Sequence, residues 1–124
     1  MSKIGMLLKM ARNFVIGNAN SKVDVYPLPE GIVIDKDVPV VMRDGVKLYT
    51  NVYRPKIQGV FPVIMSFSPF GKDTPPAMYT LAIGTMWKPF GLGLGNFRIS
   101  RSTPWESQDP AFWVPNGYIV IHVD

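Results

Sequence analysis

The side chains able to do chemistry are few and far apart. His122 is the only histidine, and it stands in the apolar run from Tyr118 to Val123. A strand there would bury it, and a core histidine hydrogen-bonded at the end of a sheet accounts for it without catalysis. Ser66 and Ser68 are flanked by Met65, Phe67 and Pro69, so neither sits in the Gly-x-Ser-x-Gly elbow that exposes a nucleophilic oxygen, and no such elbow occurs elsewhere in the chain. Turn chemistry explains Asp44 in Arg43-Asp-Gly45. Asp73 has no acid or base partner that the sequence can place. Gly91-Leu-Gly-Leu-Gly95 has the glycine spacing of a dinucleotide loop, but it follows no strand and Asn96 stands where that pattern requires glycine. Trp87, Trp105 and Trp113, with methionines around them, read as packing rather than as a ligand cage. What remains is Ser68-Pro-Phe-Gly-Lys72, which leaves an apolar run at its carboxyl end, the position of site-lining loops in α/β sheets. Ser68, Pro69, Phe70, Gly71 and Lys72 are therefore the candidate binding residues.

Two apolar runs must position that loop. Val60 to Phe67 and Tyr118 to Val123 are rich in β-branched and aromatic residues, the pattern of strands covered on both faces of a parallel sheet. Pro62 belongs near the start of the first, because a deeper proline would remove a sheet hydrogen bond. Before the second, Asp109 and Pro110 have the chemistry of an N-cap and a first helical residue. Ala111 to Val114 supply an apolar face, and Pro115, Asn116 and Gly117 end a helix of about two turns. The expected unit is a βαβ crossover and the class α/β.

Upstream, Ile32, Ile34, Val38 and Val40 alternate with polar residues, Arg43-Asp-Gly45 supplies a turn, and Lys47 to Tyr53 forms the return strand of an antiparallel hairpin. Leu48, Thr50 and Val52 are expected on one face and Tyr49, Asn51 and Tyr53 on the other. Asn18 to Gly31 reads as an extended linker. Asp73 to Gln108 is irregular, with a helix expected around Ala77 to Trp87, and its length suggests an insertion over the sheet edge or site mouth. Met1 to Val15 places Ile4, Leu7, Leu8, Ala11, Phe14 and Val15 on one arc, an amphipathic helix for packing on its own domain or a partner. Its charges Lys9 and Arg12 interrupt any signal or membrane-spanning stretch, so a cytoplasmic location is expected.

Composition narrows the classes further. The chain has 124 residues, 47% hydrophobic and 18% charged, with 12 prolines and 11 glycines, a globular balance with long irregular connections. Without cysteine there are no disulfides or thiolate metal sites, and one histidine leaves no zinc set, so neither metal nor cofactor is expected. The net charge of +4 is spread thinly, with no basic run interleaved with aromatics, so nucleic acid is not an expected partner.

Three blocks in order carry a family resemblance: Val38 to Leu48 with Val52-Tyr-Arg-Pro55, Phe61-Pro-Val-Ile64 through Ser68-Pro-Phe-Gly-Lys-Asp73, and Asp109 to Asp124. Together they resemble hydrolases of the cocaine-esterase and Xaa-Pro dipeptidyl-peptidase type, called CocE/NonD. The resemblance implies a serine hydrolase with an α/β-hydrolase domain, an inserted helical cap and a C-terminal jelly roll. In that type the aspartate matching Asp124 is followed by Arg-Gly-x-Gly-x-Ser, and the catalytic serine, acid and histidine come later. This chain is then expected to be an N-terminal portion of the α/β-hydrolase fold: residues 1–29 a helix and linker, and residues 30–124 an antiparallel hairpin leading into a mixed sheet, stopping before the nucleophile elbow. The substrate implied for a full-length enzyme is an acyl ester, amide or short peptide. Alone, the chain is expected to be inactive and to self-associate through an exposed sheet edge. A second reading is a non-catalytic protein that uses the N-terminal helix on a partner or membrane surface. A stand-alone enzyme of another class has no catalytic constellation to support it. The resemblance also assigns one site position. Relatives read Pro-Tyr-x-Lys after the first buried strand, and that tyrosine's hydroxyl helps to hold the oxyanion. Phe70 stands there without a donor, so either a backbone N–H serves or the contact is lost.

Overall fold

The computed structural model describes residues 4–5, 23–74 and 97–124. The chain forms two units, Met1–Asp24 with Ala77–Arg98, and Val25–Pro76 with Ile99–Asp124. In the first, the described side chains include Arg98, whose Nε donates to Asp24 Oδ2 at 2.7 Å across exposed surface. Ile4 and Gly5 are helical. The rest of the N-terminal amphipathic stretch, the expected helix at Ala77 to Trp87 and the Gly91 to Gly95 stretch lie outside the described residues.

The second unit holds the main sheet. Its strands are β2 (Ile32–Val41), β3 (Lys47–Pro55), β4 (Val63–Phe67) and β6 (Ile119–Val123), in the order β2-β3-β6-β4. Strands β2 and β3 make the expected antiparallel hairpin, turned at Gly45 with φ +85°, while Asp44 Oδ1 accepts the Val46 N–H at 3.0 Å. Strand β6 runs antiparallel to β3 and parallel to β4, from Val63 opposite Ile119 to Phe67 opposite Val123. Parallel pairing requires a crossover, which ends in a short helix, α1 (Pro110–Trp113). Asp109 caps it by accepting the Ala111 N–H at 2.9 Å, and Gly117, with φ +87°, ends the turn that follows. The helix is one turn rather than the expected two, because Pro115 lies too close to let it continue.

Three further differences have local causes. Val23–Tyr26 within the expected linker is a strand, β1, paired with β5 (Phe97–Ser100) in a two-stranded sheet. Asp109 helps to anchor it, because Oδ2 accepts both the Tyr26 hydroxyl at 3.2 Å and the Ser100 N–H at 2.8 Å. In β2 the register slips between Asp35 and Val38, with Asp37 in a left-handed conformation at φ 54°. This bulge inserts one residue and turns Val38 and Val40 to the face opposite Ile32 and Ile34, so the four do not share a face as their spacing implies.

Finally, β4 begins at Val63, immediately after Pro62, and it is an edge strand. Val63, Met65 and Phe67 are 52%, 48% and 66% exposed. The expectation of a strand covered on both faces fails for β4 because no described element packs over that side. The core lies on the other face, where Tyr53, Val114 and Val120 are buried with Leu28, Ile32 and Trp113 against them. Among the described residues no helix is long and apolar enough to cross a membrane.

Candidate functional site

Because β4 and β6 are parallel, their carboxyl ends emerge together, and the residues that follow them meet. Ser68 begins the loop after β4; its hydroxyl donates to the Trp105 carbonyl at 3.2 Å and accepts the Phe70 N–H at 3.2 Å. The Gly71 N–H donates to the Ser68 carbonyl at 3.2 Å, and Thr74 Oγ1 donates to the carbonyls of Phe70 and Gly71. Gly71 has φ +83°, a conformation that glycine adopts without steric penalty. Pro69 and Phe70 sit exposed at the corner, and the Phe70 ring meets Trp105 edge-on with centroids 6.4 Å apart.

Lys72 closes the loop and turns inward. Its side chain is 6% exposed, and the ammonium lies 3.0 Å from Asp37, 2.8 Å from Asp73 and 2.8 Å from Asp124. Its main-chain N–H also donates to Asp124 Oδ1 at 2.6 Å. Asn51 on β3 completes the knot: its amide donates to Asp73 at 2.9 Å and its carbonyl oxygen accepts the Asp37 N–H at 3.2 Å. The β2 bulge, β3, the loop and the end of β6 thus converge on one lysine. Hydrogen bonds to Asp124, Asp73 and Asp37 outweigh burial and hold its ammonium well above the usual lysine range. The Lys72 hydrogen bond likewise lowers Asp73. Burial alone would raise Asp124, but the side-chain and main-chain bonds to Lys72 overcome it and lower that carboxyl.

Tyr53, Lys72, Asp73, Thr74, Arg101 and Ser102 line a cavity of about 300 Å³. Burial raises the Tyr53 hydroxyl. His122 is 1% exposed, and with the Nε2–H tautomer it donates to the Gln108 carbonyl at 3.0 Å while its ring tilts against Tyr53 at 5.1 Å. Burial lowers its basicity, and the Gln108 bond offsets this only in part. That is the structural role the sequence suggested for it.

The structure therefore brings Ser68, Phe70, Gly71 and Lys72 into one loop, with Pro69 at its outer corner. Asp124 completes the arrangement together with Asn51 and Asp37, neither of which had been singled out. The available signal was Asp124 at the end of one parallel strand and Lys72 just beyond the end of its neighbour, because parallel pairing makes those two ends coincide.

The sequence model of the X-Pro dipeptidyl-peptidase (S15) family matches residues 44–124, which cover β3 through β6 and the whole loop. The chain belongs to this family. Two crystal structures of a CocE/NonD family hydrolase from Staphylococcus aureus resemble this S15-family chain at 47% identity, with TM-scores of 0.60 and 0.61. Each comparison covers 74% of this chain and 15% of the staphylococcal chain. No curated protein matches it. The fold described above corresponds to the N-terminal region of those hydrolases, a mixed α/β sheet with little helix among the described residues.

Proposed function

We propose that this S15-family chain supplies the opening strands and one wall of the active site of a serine hydrolase that cleaves acyl esters or amides, including short peptides. The observation that carries the reading is the loop Ser68–Lys72, held at the joined carboxyl ends of β4 and β6 within the segment that matches the family. Ligands of α/β sheets bind beyond those ends. In this reading Phe70 stands beside the nucleophile, where relatives of the resemblance place a tyrosine.

The loop's own amides bear on how an oxyanion would be held. The N–H groups of Phe70, Gly71 and Lys72 are already donated to Ser68 Oγ, the Ser68 carbonyl and Asp124. None of these three is left over for a substrate, so they do not replace the missing phenol with a backbone donor. The remaining oxyanion donors then come from other segments, and the nucleophile and general base from sequence beyond Asp124. The chain by itself is expected to be inactive, because a loop without nucleophile or base has no reaction to assist.

The test is a serine-directed fluorophosphonate probe together with p-nitrophenyl acetate hydrolysis. The full-length protein should be labelled and should turn the ester over, while residues 1–124 should do neither. Labelling of the short chain would refute this division of labour, and an unlabelled full-length protein would refute the serine-hydrolase reading.

A further inference from the structure

The loop Ser68–Lys72 is fastened at both ends to distant parts of the chain. At its start the Ser68 hydroxyl reaches the Trp105 carbonyl, 37 residues away in sequence. At its end the Lys72 N–H reaches Asp124, 52 residues away. Phe70 lies between these fastenings, and its own N–H is bonded only locally, to Ser68. The place of the residue-70 side chain is therefore set by its edge-on contact with Trp105, by the Thr74 hydroxyl on its carbonyl and by what holds Ser68 and Lys72.

The hold on Lys72 is directional. An ammonium has three N–H donors, and three carboxylates, from the β2 bulge, the residue just after the loop and the end of β6, each lie within 3.0 Å of it. One carboxylate would neutralise the charge; three fix where the ammonium points. Asp124 uses its second oxygen on the main-chain N–H of the same residue, so side chain and backbone are gripped together. Asp37 reaches the ammonium from the left-handed conformation of the bulge, and Asn51 holds both the Asp37 N–H and the Asp73 carboxylate.

We propose that Lys72, expected from the sequence to be a binding residue, instead acts with Asp124 as a positioning residue for hydrolysis: its ammonium is taken up by carboxylates, and the pair sets the height of the residue-70 side chain beside the nucleophile without touching substrate. The proposal rests on the serine-hydrolase reading above. It predicts that loosening the grip misplaces the loop relative to the reacting atoms, which penalises turnover more than substrate binding.

The experiment uses the full-length protein, with active sites counted by the fluorophosphonate probe and p-nitrophenyl acetate as substrate. Lys72→Met should lower kcat per labelled site by roughly ten- to a hundredfold, the scale of a small misplacement, with KM changed by less than about twofold. Lys72→Arg keeps a charge and several donors and should recover part of the loss. Asp124→Asn keeps an acceptor for the Lys72 N–H and should fall between the two. Lower thermal stability with unchanged kcat per labelled site in these variants would make the knot structural only and overturn the proposal. If Lys72→Met does not fold, Asp124→Asn decides by the same criterion. An unlabelled parent protein would overturn the hydrolase reading first, and the positioning role with it, before any substitution is compared.

Discussion

Asp124 holds residue 72 twice: Oδ1 takes its main-chain N–H at 2.6 Å and Oδ2 its side-chain ammonium at 2.8 Å. One carboxylate at the end of β6 thereby fixes both the path and the side chain of the loop that follows β4. Such a contact joins the two parallel strands beyond the last rung of their ladder.

The knot makes stability depend on acidity. Asp73 and Asp124 are lowered in the folded chain, so their contribution is fully present above the ordinary carboxylate range and is lost as pH falls through their folded values. Lys72 is raised, so its contribution persists throughout the neutral range and disappears only in strong base. Urea unfolding of the chain at a series of acid pH values should show this decline. Lys72→Met should flatten it and lower stability near neutrality by about 2 kcal/mol, less than the 3–5 kcal/mol typical of breaking a fully buried pair. The discount follows from the partners, whose carboxylate side chains stay 43% to 65% exposed. An unchanged acid profile in the variant would exclude the knot as the source.

Gly71→Ala isolates backbone strain from crowding. An added Cβ would meet Asp124 Oδ1 at 3.6 Å, an ordinary contact, but φ is +83°. The expected cost is about 1 kcal/mol, from conformation alone. Chemical denaturation of both chains measures it, and a loss above about 3 kcal/mol would show that the alanine also breaks the Asp124 bonds.

Phe70 is 51% exposed in this chain with its ring edge-on to Trp105, and Phe70→Tyr in the full-length protein adds a hydroxyl there. Since the Phe70, Gly71 and Lys72 amides are committed, turnover of one ester should rise by up to roughly ten- to a hundredfold, at or below the low end of the hundred- to thousandfold effect of one well-placed oxyanion donor. An unchanged kcat would mean that a donor from another segment already fills the role.

The exposed side of β4 predicts self-association of the isolated chain. Val63, Met65 and Phe67 project from a strand that, among the described residues, is at the edge of its sheet with backbone groups left unpaired along that margin. Sedimentation velocity should show concentration-dependent species, and Phe67→Lys should shift them toward monomer. A parent chain that stays monomeric throughout would contradict this expectation.

Much of the frame was legible because its signals are local. Asp109-Pro110 before the helix, Gly117 after it and Arg43-Asp-Gly45 in the hairpin each act through a few neighbouring residues, and each is where the sequence put it. The bulge was not legible. Its extra residue depends on Asp37 holding a left-handed conformation, supported by Asn51 and Lys72, whereas period-two counting assumes an unbroken ladder. Strand β1 was hidden for a related reason: four residues carry little pattern, and its partner β5 lies far downstream. At the site, the loop could be found from its place after an apolar strand. The lysine knot could not, because its bonds span 14, 22 and 52 residues and only the sheet order brings them together.

The committed amides of the loop also bear on the thermodynamics of ligand arrival. With the N–H groups of Phe70, Gly71 and Lys72 already donated and Lys72 saturated by carboxylates, the segment has little conformational freedom left to surrender. In the proposed site, a ligand docking against this hydrogen-bonded segment would leave little of the entropic penalty of ordering a loop to its own binding, that penalty having been met when the chain folded.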